Sequence, residues 1–381
     1  MISSKRKSWL GFAVVAAVTL GLTFGGHPGE AGQVSGYEVL APITHDNLTI
    51  FPVVARGAVH ETSKFITLDE GVRSGEVVVT EAGGARGLVR RRHSPWEEHP
   101  IRPIPDGGAR VNQLVLVNNS DRPLILLAGE IVTGGKQDRV VGKDRIVPPE
   151  SDPIALDVFC VEPGRWVEQT AAFKSFHSQM AQPSVRRRAM AEQNQQAVWD
   201  AVGKSKQGML AAMPPPSPAG EPSASVRALE STSSYARVMA APEVQAHVDA
   251  VAALLERSYQ NLIRELRARD AVGVVVAVNG EMVCADLFAN PSLLEKYWPK
   301  LIRSYAAEAM TTRVQNMKLR QPDTQAAREF LEKLQGRREN IESEPGVYRN
   351  TEISGDGFTV FELTALLPST GFEIHLAKMA E

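Results

Sequence analysis

Residues 124 to 166 read LILLAGEIVTGGKQDRVVGKDRIVPPESDPIALDVFCVEPGRW. Short apolar runs such as PLILLAGE, DRIVPP and PIALDVFCVE are interrupted by Gly, Pro and Asp before any reaches helix length, which is the punctuation of short β-strands. Upstream, LTIFPVV (48–54), EVVVTE (76–81) and NQLVLVNN (112–119) repeat the pattern. Apolar residues on both parities of 111–117 point to a strand covered on both faces. Asn118, Asn119, Ser120, Asp121 and Pro123 supply turn chemistry, so the strands on either side of them are expected to pair as a hairpin. Residues 38–168 therefore read as a β-sandwich or barrel-like region.

The period changes after Trp166. Residues 169–211 read as a helical connection, with Ser184 to Val202 as its helix. The stretch 212–234 carries five prolines among Ser and Ala and reads as a flexible insertion, because its few bulky residues offset little chain entropy. From about residue 240 to 381 the pattern is mixed. Val244, Val248, Val251, Leu255, Tyr259, Leu262 and Leu266 fall on one stripe of a long helix after Pro242. Asn279-Gly280 between two apolar runs marks a tight hairpin. A helix carrying Ile302, Ala306, Met310, Val314 and Met317 is expected after Pro299, and Asp323 opens a shorter one before Gly336. The tail returns to strand at 357–363 and 372–377. The predicted class is α+β: a β-rich region first, mixed helices and hairpins after.

A chain of 381 residues, 43% hydrophobic and 23% charged, holds enough apolar material for sizeable cores. Lys5, Arg6 and Lys7 precede an apolar run from Trp9 to Phe24, and small and turn-forming residues follow. Residues 1–31 thus read as a signal peptide that exports the protein to a periplasmic or secreted location, or, if uncleaved, as an anchor at 9–24. Loss of Lys5, Arg6, Lys7 and Glu30 with such a leader moves the formal net charge from −2 to −4. That balance does not suggest a nucleic-acid polymer as partner. Cys160 and Cys284 each sit in an apolar strand-like run, where a buried thiol is the leading reading and pairing in an oxidising compartment the other.

Chemistry concentrates in the opening stretch. Gly134-Gly135-Lys136-Gln137-Asp138-Arg139 joins two strands. Paired glycines turn backbone N–H groups toward an anion, and Lys136 and Arg139 add charge. It is no Walker loop, since an extra residue precedes the lysine and Gln137 stands where Ser or Thr binds Mg²⁺. The bland reading is a solvated polar hairpin end. Cys160-Val161-Glu162-Pro163-Gly164-Arg165-Trp166 ends a strand in a Pro-Gly turn: Glu162 suits a base, Arg165 an anion clamp and Trp166 a stacking surface, or Glu162 pairs Arg165 over a packed Trp166. Glu130 ends an apolar run, where burial would raise its carboxyl as a general acid or base needs. His93 and His99 match no zinc spacing, so no metal is assigned and no cofactor is named. The triplets Arg90–Arg92 and Arg186–Arg188 read as solvated faces. Neither G-x-S-x-G nor H-E-x-x-H occurs.

GEIVTGGKQDR, CVEPGRW, VVVAVNGEMVCADLF and WPKLIRSYAAEA together resemble the family called ARG and Rhodanese-Phosphatase-superfamily-associated Protein, where ARG abbreviates ADP-ribosylglycohydrolase. The resemblance runs in order from about Asn47 to Ala309 and is expected to continue to the end of the sequence. Gly135, Asp138 and Pro163 stand where the family pattern has Ala, Asn and Gln. It implies activity on ADP-ribose or another NAD-derived nucleotide, a proposal resting on neighbouring genes and domains, and it singles out Glu130, Lys136, Gln137, Arg139, Cys160, Glu162, Arg165 and Trp166. On that reading Glu130 and Glu162 are catalytic candidates, while Lys136, Gln137, Arg139, Arg165 and Trp166 bind a small anionic or nucleotide-like ligand. The alternative is a non-catalytic exported ligand-binding or interaction module, whose protein partner the residues do not name.

Overall fold

The computed structural model describes residues 36–57, 59–84, 110–176, 179–213, 224–265, 271–312, 322–367 and 371–381. The signal-like segment, His93, His99 and Arg90–Arg92 lie outside them. In chain order the first elements are β1 (Tyr37–Val39), β2 (Ile43–His45), β3 (Leu48–Ala55), β4 (Ile66–Thr67), α1 (Leu68–Ser74), β5 (Val77–Glu81) and β6 (Gln113–Asn118). Next come β7 (Leu124–Leu126), β8 (Ile131–Thr133), β9 (Arg139–Val141), β10 (Arg145–Val147), β11 (Ile154–Cys160) and β12 (Lys174–Ser175). The helical stretch holds α2 (Pro183–Arg187), a π-turn at Arg188–Glu192, α3 (Gln195–Ala212), α4 (Ala224–Ser231), α5 (Tyr235–Met239) and α6 (Pro242–Glu265). Last are β13 (Ala271–Val278), β14 (Glu281–Phe288), α7 (Pro291–Thr311), α8 (Thr324–Glu332), β15 (Arg337–Glu344), β16 (Tyr348–Gly355), β17 (Phe358–Ala365) and β18 (Glu373–Ala380).

The fold is α+β. A six-stranded sheet, β12-β8-β9-β11-β6-β5, and a three-stranded sheet, β10-β7-β4, form the β-rich near-barrel region. They enclose one core of Leu68, Val79, Leu116, Leu126, Val141, Val158 and Phe173. A nine-stranded sheet orders β1-β3-β13-β14-β18-β17-β16-β15, with β2 also on β3. The first strands of the chain therefore share a sheet with its last ones. Helices α6 and α7 cover one face through Leu255, Leu294, Trp298 and Tyr305, and α8 covers the other through Ala327 and Leu331.

Pro52 lies inside β3, a position that costs a ladder hydrogen bond. Its carbonyl accepts from Leu40 N–H, so its missing N–H faces the same side, at the break between β1 and β2. The forfeited bond is the return one to Leu40, at the end of the β1 ladder rather than on the β13 side. The hairpin at Asn279-Gly280 forms with both residues at positive φ, 54° and 86°, and joins β13 to β14. Val244, Val248, Leu255 and Tyr259 of α6 are buried along the expected stripe.

Four details differ from the sequence reading. The segment 118–124 does not join a hairpin: β6 belongs to the six-stranded sheet and β7 to the three-stranded one. Asn118 Nδ2 donates to the carbonyls of Arg122 and Pro148, and Ser120 Oγ donates to Arg122 O, so the turn's polar groups tie a crossing between sheets. The helix expected after Pro299 starts at Pro291 and contains Pro299. Asn290 caps it by accepting from Leu293 N–H, and burial of Leu293, Leu294, Tyr297 and Trp298 offsets the hydrogen bond the proline forfeits. Within the expected flexible insertion, residues 214–223 lie outside the described set, but Ala224–Ser231 is helical with Leu229 buried, and Ser234 is buried as the cap of α5. Finally, β15 and β16 are strands in spite of polar sequences; they pair through backbone bonds from Arg337–Ser354 to Glu344–Tyr348, with one register shift between Asn340 and Glu342.

Among the described residues no helix is long and apolar enough to cross a membrane. Cys160 and Cys284 are both buried and free.

Candidate functional site

β8 and β9 form a hairpin whose loop is the Gly134–Asp138 segment, and β11 runs antiparallel beside β9, placing Cys160 opposite Arg139. The Lys136 loop and the Cys160–Trp166 turn thus meet at one end of the six-stranded sheet. Gly134 and Gly135 both take positive φ, 120° and 47°. A Cβ on Gly135 would stand 2.1 Å from the Phe173 ring and 2.8 Å from Glu81 Oε1, so glycine is required for conformation and space alike.

Arg165 binds this loop from beneath. Its Nη1 donates to Gly135 O at 3.0 Å and to Val167 O at 2.8 Å, and its Nη2 lies 2.5 Å from Glu162 Oε2 and 3.5 Å from Asp138 Oδ1. Burial opposes its charge, but Glu162 and Asp138 raise its pKa above the ordinary arginine range. Glu162 Oε2 also accepts Asp138 N–H at 3.1 Å, and Gln137 Nε2 donates to Glu162 O. Asp138 accepts from Gly134 N–H and, at 2.8 Å, from Ser234 Oγ. Burial and then the charge of Glu162 raise its carboxyl. The internal Glu162–Arg165 pair is therefore real, yet Trp166 is not core: it is 43% exposed.

Arg139 is fully enclosed. Its Nη1 reaches only the Asp138 carbonyl at 3.5 Å, and its Nε and Nη2 have no partner among the described residues. Burial lowers its pKa, against the nearby Cys160, Glu81 and Asp138. Trp166 covers it, with the guanidinium 5.9 Å from the ring centroid and Lys136 Nζ at 5.3 Å from the same ring. Lys136 spends its backbone N–H on Glu81 Oε1 at 2.8 Å and, among the described residues, its ammonium on no acceptor. The cluster also holds unpartnered buried atoms at Glu81 Oε2, Gln137 Oε1 and Arg165 Nε. Beside it lies a cavity of about 410 Å³ lined by Glu81, Lys136, Thr80, Ala82 and Ala172.

Two sequence-chosen residues stand apart in role. Cys160 Sγ accepts Glu162 N–H, and burial raises the thiol, which disfavours the thiolate a nucleophile needs. Glu130 is fully buried and accepts Lys300 Nζ at 2.7 Å and Leu127 N–H at 2.9 Å. Lys300 also holds Asp69 at 2.8 Å. Burial raises the Glu130 carboxyl as the sequence suggested, but it is not part of the cavity wall beside Lys136.

Reading along the sequence missed three features. Glu81 looks like an ordinary strand end until β8 and β9 pack beside it. Ser234 lies far along the chain from Asp138. The third is a buried network in which His375 lies 2.5 Å from Asp144 and 3.3 Å from Asp286, which in turn accepts from Arg186 at 2.7 Å and Tyr305 at 2.7 Å. Arg186 is thus buried and paired, not part of a solvated face; Arg187 and Arg188 instead line a second cavity of about 610 Å³ with Lys204 and Glu308. Among the described residues no group of three or more His, Cys, Asp or Glu side chains is placed to hold a metal.

A family model described as the ARG and Rhodanese-Phosphatase-superfamily-associated Protein domain matches residues 36–379. The chain belongs to that family. The match spans both β-rich and mixed regions, so the three sheets together are the family domain. No curated protein matches the chain, and no solved structure does.

Proposed function

We propose that this member of the family binds a phosphorylated, nucleotide-like small molecule at the cluster of Lys136, Gln137, Arg139, Arg165 and Trp166. One observation carries the reading: a fully enclosed guanidinium, Arg139, has two nitrogens without acceptors among the described residues, beneath an exposed tryptophan and next to an ammonium that has no acceptor among them either. Unpaired buried donors are costly, and a phosphate that reaches them once the exposed Trp166 ring swings aside would supply the acceptors and the charge they lack. Trp166 offers a face for a base or sugar. The ligand class that family membership favours is ADP-ribose or another NAD-derived nucleotide, and hydrolase-like turnover is the corresponding activity.

A non-catalytic module is the second reading, favoured by a specific observation. Both carboxylates chosen from the sequence as bases are committed, Glu130 to Lys300 and Glu162 to Arg165. Thermal unfolding with ADP-ribose, NAD and inorganic phosphate tests binding, with Lys136→Ala alongside. Stabilisation lost in the variant is expected; no stabilisation by any of them removes the proposal. Product analysis after incubation with ADP-ribose then separates enzyme from module.

Export is proposed from Lys5–Lys7 and the apolar run Trp9–Phe24. Intact mass of the protein recovered from cell fractions tests it: a mature chain lacking about residues 1–31 outside the cytoplasm is expected, and a full-length cytoplasmic chain contradicts it.

A further inference from the structure

The Lys136 ammonium alone would suit any phosphate, and Glu81 is what narrows the choice. It ends β5, is 8% exposed, and gives Oε1 to Lys136 N–H at 2.8 Å. Its other oxygen, Oε2, is enclosed and has no partner among the described residues. The same two residues, Glu81 and Lys136, line the 410 Å³ cavity. That volume falls within the roughly 300–1,000 Å³ of small-molecule sites.

An ionised carboxylate only accepts hydrogen bonds, and an enclosed one left without a donor costs free energy. A bare phosphate offers Glu81 mostly further negative charge at short range, and Glu168 on the same wall adds to the repulsion. The occupant that satisfies both ends carries an anion for Lys136 and a donor for Glu81. Val78, Ala82, Ala171 and Ala172 give the cavity an apolar wall for a carbon skeleton between them. We propose that Glu81 makes this cavity selective for an organic phosphate bearing a free hydroxyl, such as a phosphorylated sugar. The hydroxyl donates to Glu81 Oε2 while the phosphate meets Lys136. This selectivity rests on the reading of the Lys136 cluster as a phosphate site and names the ligand's second group.

Titration calorimetry of the full chain with ribose 5-phosphate and with monomethyl phosphate, which lacks hydroxyl groups on carbon, tests it. A hydrogen bond to a charged group makes the sugar phosphate about tenfold or more the tighter ligand. Glu81→Gln is the informative variant. Its amide oxygen still accepts Lys136 N–H, which preserves the loop, and its NH₂ then presents a donor to the cavity in place of an acceptor. The preference is expected to vanish, with monomethyl phosphate bound as well as before or better. Equal affinities in the wild type, or a preference that survives Glu81→Gln, overturn the role of Glu81 while leaving the phosphate site standing. If neither ligand binds the wild type, the phosphate site itself falls and the selectivity falls with it.

Discussion

Arg139 and Arg186 are two buried arginines with opposite surroundings. Arg186 meets the Asp286 carboxylate at 2.7 Å, and Asp286 is further held by Tyr305 and His375. Burial works against its charge, but Asp286 and Asp144 raise its pKa above the usual range. Among the described residues the Arg139 side chain meets only a carbonyl at 3.5 Å, and burial lowers its pKa. Both leave Nε and Nη2 without partners among the described residues, so orphaned atoms alone do not separate them. The counter-ion does. Arg186 has a carboxylate in direct contact and joins α2, β14, β18 and α7, whereas Arg139 has none in direct contact among the described residues, and that gap is what the proposed phosphate would fill.

Asp286 carries the largest expected effect. Replacing it with alanine strands Arg186 and removes a partner of His375, a loss of about 3–5 kcal/mol by the behaviour of buried pairs. Urea denaturation measures it, and a loss under about 1 kcal/mol would show that Arg186 is not a core charge. His375 sharpens the same network through pH. Burial opposes its protonation, but Asp144 and Asp286 raise it from 6.5 to about 9. The folded state then holds a proton the unfolded state releases. This contribution is full below about pH 6.5 and is lost as pH rises through about 9, on the order of 3 kcal/mol. The unfolding free energy of wild type minus that of His375→Gln, followed from pH 6 to 10, should fall across that window; a flat difference excludes the linkage.

At the other arginine the expected cost is small. Arg139→Met replaces an unpaired buried charge by an apolar chain of similar length, so stability should hold within about 1 kcal/mol or rise. A loss resembling that of Asp286→Ala would mean Arg139 has a structural counter-ion. Trp166→Ala, at a 43% exposed position, should move stability by no more than about 0.5 kcal/mol. Its affinity for a nucleotide-like ligand should nevertheless drop about tenfold, as loss of base stacking would cause. An unchanged affinity removes Trp166 from the site.

The sequence made the α6 stripe and the Asn279-Gly280 turn readable because their signals are local: a buried face at helical spacing and two residues that tolerate positive φ. The Lys136 loop and the Glu162–Arg165 turn were readable as chemistry for a similar reason, each being compact along the chain. β15 and β16 were not, since their sequences carry polar residues where a strand reading looks for apolar alternation. Pro299 misled because a break signal lost to the buried face of the preceding turns. Glu81 and Ser234 reach the site only through strand and helix packing, and Asp144, Asp286 and His375 meet across separations of 89 to 231 residues. No periodicity marks such encounters.

The most direct measurement is the unfolding free energy of wild type and Arg139→Met, each with and without saturating ADP-ribose. The wild type is expected to gain about 2.7 kcal/mol at a hundred times the dissociation constant and the variant nothing, although both are similarly stable without ligand. Equal stabilisation of the two, or none in the wild type, would contradict the claim that the unpaired arginine waits for a phosphate.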